Sequence, residues 1–391
     1  MSSTLDPLDI PDLLANLVER SLVVCDPATG RHHMLESMRV YTAEHLTEED
    51  QIARRRHFNY FLSYGERMLE LNRLFEDAKA HAMFIQEIDN LRLAAEWSLS
   101  NDPEGCLHLI VCTGLSWVRE HRLEARDLLE SAMAAAPDIA DADHISARVQ
   151  LARTKLRQGF FEEAEELFAI ARQQIKELPD TIPILRFYVI LGSGVQQLYV
   201  GNHKVAREYF LEALELATKN GMTALQGAAN VNLGELCRSD GDLSGATKYY
   251  EEALRLSHRD PFSDSLVLFN IGSVAIQLND LERALDYFRQ SIDVLHGATG
   301  LETANGPIAG LGYICIKRGR YREAGLLMGY PEGRRKRNKS RMDPIDEALF
   351  EEYRALGLSL GGEVFATAFE EGATLTKEEL ARLVEQATRV D

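Results

Sequence analysis

The sequence predicts an all-α protein: a solenoid of stacked helical hairpins, wound as a right-handed superhelix, with a small N-terminal segment that contains a β-hairpin. Three observations predict it. Five segments align on one small alanine at a nearly constant step. Within each segment the larger residues recur at helical and not at strand spacing. At 391 residues the chain also exceeds what one hydrophobic core normally supports, which favours several domains or a one-dimensional stack.

The N-terminal part stands apart. Ile10 to Leu22 opens with Ile10, Leu13, Leu14 and Leu17 at helical spacing. The stretch SLVVCDPATGRHHML follows, in which Asp26 to Gly30 is a turn between two short extended runs, so a β-hairpin is expected. A second helix is expected from about Glu36 to Leu46. Helix, hairpin, helix is the latter part of a winged-helix module, which gives a partial winged-helix-like segment over 1–48. Residues 49–100 then read as a helical connector.

Residues 101–330 carry the repeats, about six helix pairs. The segments read GFFEEAEELFAIA from Gly159, GNHKVAREYFLEA from Gly201, GDLSGATKYYEEA from Gly241, NDLERALDYFRQS from Asn279 and GRYREAGLLM from Gly319. Their alanines, Ala164, Ala206, Ala246, Ala284 and Ala324, fall 42, 40, 38 and 40 residues apart, and a weaker unit aligns on Ala125. Gly or Asn at the turn supplies the left-handed conformation that ends one helix and reverses the chain. Alanine opens room for close approach, and the residues four and seven further on fill the groove. Seven residues before each turn stands another small residue: Ala152, Gly194, Gly234, Gly272 and Gly312.

This signature resembles tetratricopeptide repeats, whose usual period is about 34 residues; the longer steps here resemble a variant with longer helices. LLANLVERSLV, RHHMLESMRVYTAEHL and EIDNLRLAAEW resemble bacterial regulators in which a STAND-class (NB-ARC-like) nucleotide-binding domain precedes a winged helix and a tetratricopeptide sensor. The C-terminal LFEEYRALGLSLGGEVFATAFEEGATLTKEELARLVEQA is similar to the closing helices of that group. The resemblance implies a signal-transducing transcriptional regulator. One departure is large: no G-x-x-x-x-G-K-[ST] phosphate loop occurs, so nucleotide hydrolysis does not carry over, and the chain is expected to be a fragment or a shortened relative.

Residues 331–391 are expected as a basic linker followed by capping helices. The run Arg334, Arg335, Lys336, Arg337 is a candidate basic patch, read against a solvated linker offset by the acidic stretch after it. No aromatic interleaves it, so it offers no base-stacking platform. Net charge is −18, from 61 acidic and 43 basic residues, and such a surface repels phosphate backbones at long range. The helix before the hairpin offers a single Arg20, so DNA is not the expected partner of this chain. No apolar run reaches the roughly 20 residues that span a bilayer, and five scattered cysteines without C-x-x-C suit reduced thiols. A cytoplasmic location follows as the expectation, with no cofactor and no metal. Cys106, His108 and Cys112 are the one cluster considered for a metal, against a buried-helix reading.

The candidate site is the inner face of the stack, lined by the first helix of each pair. Asn232 and Asn270 each precede the small helix position by two residues. An Asn at this place resembles the one that holds an extended ligand backbone in peptide-binding tetratricopeptide proteins, and its amide both donates and accepts. The alternative is that the two amides tie neighbouring repeats together. Glu235, Arg238, Gln277, Tyr313 and Lys317 are expected to line the same face. The expected function is therefore a non-catalytic scaffold that binds a protein, a peptide or a small effector. A self-assembling structural scaffold is the alternative, with a nucleic-acid-binding effector behind it; the oligomeric state stays open.

Overall fold

A computed structural model describes residues 9–27, 30–34, 38, 41–42, 48–74, 76–120, 122–137, 139–179, 182–257, 260–298, 300–301, 304–337 and 344–388. The chain forms two compact units, Met1–Asn59 and Tyr60–Asp391. In the first, α1 (Ile10–Glu19) leads to strands β1 (Val23–Cys25) and β2 (His32–Met34). The strands pair antiparallel, with Val24 opposite His33. The Asp26 amide donates to the Arg31 carbonyl at 2.8 Å, closing the turn where the sequence places it. The helix expected from Glu36 to Leu46 falls largely outside the described residues.

Long helices α2 (Glu48–Arg73) and α3 (Asp77–Asn101) follow. Six hairpins then run in order: α4 (Pro103–Glu120) with α5 (Arg122–Ala135), α6 (Ala142–Arg157) with α7 (Phe161–Gln174), and α8 (Pro183–Tyr199) with α9 (His203–Lys219). The last three are α10 (Thr223–Ser239) with α11 (Leu243–Arg255), α12 (Pro261–Gln277) with α13 (Leu281–Ala298), and α14 (Asn305–Lys317) with α15 (Tyr321–Arg337). The C-terminal helices α16 (Pro344–Gly372) and α17 (Lys377–Thr388) close the stack.

The repeat signature maps directly onto this geometry. The turn residues Gly159, Gly201, Gly241, Asn279 and Gly319 all have positive φ, from 59° at Asn279 to 85° at Gly159. That region is open to glycine and tolerated by asparagine, which is why only those two types occur there. The aligned alanines are completely buried. The small residue on each first helix does more than allow approach, because it seats the large side chain sixteen residues later. A methyl group at Gly194 would lie 2.6 Å from the Phe210 ring, one at Gly234 2.5 Å from Tyr250, one at Gly272 2.6 Å from Phe288, and one at Gly312 2.5 Å from Met328. Phe288 is gripped from both sides, since a methyl at Gly310 would lie 2.5 Å from the same ring.

The expected basic linker needs correction at its start. Residues 331–337 are the final turns of α15, and Pro331, Glu332 and Gly333 are buried. Proline inside a helix ordinarily costs a hydrogen bond and a steric clash, and for that reason the sequence reads as a break. What overrides it is a glycine stripe, Gly325, Gly329 and Gly333, that lies directly on the backbone of α16 around Phe365 and Phe369 and on Ala373 just beyond its end. α16 itself bends at Gly362, where φ is 51°. A large shared core, with Phe365 and Met328 fully buried in it, joins α12–α15 to the C-terminal helices.

The stack also curls back on itself. α3 contacts α12, and the His81 and Phe262 rings meet edge to face at 5.7 Å. Among the described residues, no helix is long and apolar enough to cross a membrane.

Candidate ligand cavity

Inside the curl lies an open cavity of about 730 Å³. The first helices of the pairs supply most of its wall, with Asn72 and Asp77 at the α2–α3 junction and parts of α15 and α16 completing it. Its path is diagonal. On α6 and α8 it follows the C-terminal halves, through Arg153, Arg157, Val195 and Tyr199. It runs the length of α10, from Ala224 to Arg238, and reaches α12 and α14 at their N-terminal halves, through Asp260, Asp264, Asn270 and Asn305.

Asn232 and Asn270 both line the cavity. The Asn232 amide donates to the Ala228 carbonyl of its own helix at 2.8 Å. Asn270 is only 7% exposed, and its side chain has no hydrogen-bond partner among the described residues. Among the described residues, neither amide hydrogen-bonds to an adjacent repeat, contrary to the alternative reading.

Glu235 and Arg238 join them as a fixed pair. Arg238 donates to Glu235 Oε2 at 2.6 Å, and the Tyr250 hydroxyl, reaching through from α11, donates to Glu235 Oε1 at 2.6 Å. Burial by itself would lower the Arg238 pKa, but the charge of Glu235 outweighs it and holds the guanidinium above its ordinary value. Burial, then the same carboxylate, pushes the Tyr250 phenol well up, so it stays a donor. Arg334 and Arg335 also line the cavity. Arg335 is held by Glu332 at 2.7 Å and Glu347 at 3.3 Å. Lys336 is 3.6 Å from Glu332, and Arg337 donates to the Ala373 carbonyl at 2.6 Å. The basic run is thus distributed between the cavity wall and contacts within the chain.

Three expected residues fall off the path. Gln277 and Lys317 are exposed at the C-terminal ends of α12 and α14, whereas the cavity passes the N-terminal halves of those helices. Tyr313 packs against Tyr353 of α16, ring centres 4.2 Å apart and planes tilted by 38°, and it is Tyr353 that reaches the wall. A single sequence register cannot foresee a diagonal path. Sequence reasoning likewise missed Asn72, Asp260 and Asn305, whose side-chain Oδ1 atoms are buried without a partner at the cavity wall. Asp260 carries only the signal of a helix cap before Pro261, and its Oδ2 does accept from the Ser263 amide at 2.8 Å. Asp77 enters from the connector: burial raises the Tyr188 phenol, and the charges of Arg153 and Asp77 act on it in opposite senses.

The cysteine and histidine cluster lies elsewhere, where α4 meets α6. His108 Nδ1 is 2.8 Å from Asp143 Oδ2, and its Nε2 is 3.6 Å from Cys112 Sγ. Asp143 first, then Cys112, push the His108 imidazole up to about 11. The Cys106 thiol instead faces the Ala95 carbonyl at 3.5 Å, so the three side chains do not converge.

A family model for the tetratricopeptide repeat matches residues 225–296, which span α10 to α13. The repeats within that span are of the tetratricopeptide type. A protein of Mycobacterium tuberculosis named as an HTH-type transcriptional regulator is 29% identical over 234 residues, 55% of this chain. The chain spans about a quarter of that regulator's length, 25%. A photosystem I assembly protein of Rippkaea orientalis is 39% identical over 61 residues, 16% of this chain and 35% of its own. Among solved structures, a Rap protein complexed with competence and sporulation factor aligns at TM-score 0.56 and 15% identity, over 83% of this chain and 88% of that one. NprR in complex with its cognate peptide NprX aligns at 0.52 and 16%, over 97% and 96%. At these identities the tetratricopeptide stack is similar to both in fold.

Proposed function

We propose that this tetratricopeptide stack is a ligand-sensing regulatory scaffold that holds a short extended peptide, or an extended segment of a partner protein, in its central cavity. The observation that carries the reading is the unpartnered Asn270 amide, 7% exposed, on the same wall as Asn232. An amide that no group of the chain engages is free to bond a peptide backbone, since it both donates and accepts. Of two solved neighbours of the same fold, NprR was crystallised with its cognate peptide and the Rap protein with competence and sporulation factor, and a regulator is among the related sequences. The mechanism is conformational: a ligand that prefers one curvature of the stack shifts the population toward it by its differential affinity.

The test is retention of a pooled random heptapeptide library by the full chain through gel filtration, read by mass spectrometry. The wild type retains a defined subset, and the double variant Asn232→Ala, Asn270→Ala loses it at an unchanged melting temperature. Undiminished retention by a folded double variant would place the ligand elsewhere.

A further inference from the structure

One stretch of the cavity wall carries no charge. No wall residue of α8 is ionisable as an acid or a base of the Asp, Glu, Lys, Arg or His kind, and none of α10 before Glu235 is. On α8, Tyr188, Leu191 and Val195 recur at i, i+3 and i+7, so they share one face. All three stay half-buried at the wall. Leu191 packs both on the core around Leu225 and Ala229 and on the core around Leu233 and Leu236. Those contacts set it beside the stretch of α10 that carries Ala228 and Asn232. Val195 shares the second of these cores, and Tyr188 and Ala228 share the first. The Asn232 amide lies one turn above Ala228, since its Nδ2 donates to the Ala228 carbonyl at 2.8 Å. Its Oδ1 takes no partner among the described residues, so an acceptor stands directly beside apolar surface. Charge begins only at the borders. Glu235 and Arg238, further along α10, are bonded to each other. Arg153 and Arg157 of α6 and Asp77 of α3 line the wall on the other side, with Arg153 and Asp77 acting on Tyr188 in opposite senses.

We propose that this stretch decides which residue the peptide carries where Asn232 holds it: a large apolar side chain, of the size of Leu or Phe, seated on Leu191, Val195 and Ala228. The assignment rests on the peptide-binding reading above and names the ligand class. An apolar side chain that covers Leu191 and Val195 releases the water held against them, whereas a polar one gives up its own water for no partner. Ala228 sets the size limit, because a methyl group leaves room that any larger wall residue would take.

The experiment uses the full chain and paired heptapeptide pools. One position is fixed as Leu in one pool, Ser in its partner and Ala in a third, the other positions are drawn from polar residues, and the fixed position is moved along the peptide from set to set. At one position the Leu pool is expected to be retained at least tenfold over the Ser pool. Ala228→Leu fills the room from the wall side: the Leu pool is expected to lose that advantage while the Ala pool is still retained, at an unchanged melting temperature. Val195→Thr keeps the shape of the wall but adds a hydroxyl, and should weaken the same preference. Retention without a preference for Leu at any position, or a preference that survives in both variants, overturns the subsite and leaves peptide binding standing. Retention of no peptide by the wild type, the heptapeptide library included, overturns both.

Discussion

On α10 and α12, residues two apart serve opposite surroundings. Gly234 and Gly272 face the second helix of their own pair and seat Tyr250 and Phe288 in a dry seam. Asn232 and Asn270, two residues earlier, point away from that seam, because positions i and i+2 of a helix do not share a face, and they line the cavity. The seam is fully packed, with Phe210, Tyr250 and Phe288 completely buried. The wall retains buried polar atoms with nothing to bond, at Asn72, Asp260 and Asn305. Natural cores pair their polar groups, so stability is concentrated in the seam, whereas the wall carries polar atoms that the chain itself does not pair.

The comparison breaks most visibly at Phe288. Gripped between Gly272 and Gly310, it has no neighbour free to fill its place, and Phe288→Ala should destabilise by about 3–5 kcal/mol, read as a lowered urea midpoint. A smaller loss would mean that the seam is plastic. Ala246→Leu overpacks the adjoining hairpin, α10 with α11, and should cost about 1–3 kcal/mol; a wild-type melting curve would contradict the complete burial of that position. Tyr250→Phe keeps the ring in the seam but removes the hydroxyl that holds Glu235, with an expected loss of about 1.5 kcal/mol. It links seam and wall, so a double-mutant cycle with Glu235→Gln should show coupling.

A pH series sharpens the contrast away from the cavity. The folded pKa of His108, about 11, stands above the 6.5 of an unconstrained imidazole, with Asp143 as the main cause. Its stabilisation is therefore fully present below about pH 6.5 and declines as pH rises toward 11. The melting-temperature advantage of wild type over His108→Gln should shrink steadily between pH 6.5 and 9.5; a constant gap would mean that the pair is not ionic. The smallest effect belongs to the wall: Asn270→Ala should change stability by no more than about 0.5 kcal/mol, because the amide it removes has no partner.

The repeat stack was legible in the sequence because its requirements are local. A turn needs φ > 0, so Gly159, Gly201, Gly241 and Gly319 are glycine, and Asn279 is the tolerated exception. Close helix approach needs Ala or Gly at fixed offsets, and those offsets repeat often enough to be read. Of the seven residues expected on the concave face, Asn232, Glu235 and Arg238 on α10 and Asn270 on α12 line the cavity. Register by itself could not separate these from Gln277 and Lys317, which sit exposed at the C-terminal ends of their helices, away from the cavity.

The rest was decided by tertiary structure. Pro331 reads as a break, yet the glycine stripe from Gly325 to Gly333 reaches the α16 backbone and carries the helix on to Arg337. The curl that brings Phe262 to His81 sums small rotations over many repeats, and no single window of sequence records it. That curl turns an open concave face into a cavity, sets its diagonal path, and gathers Asn72, Asp260 and Asn305 from helices far apart in the chain. Sequence determined the unit and its packing code, since both depend on neighbours within about forty residues. Tertiary structure chose the site, since a cavity belongs to the whole stack.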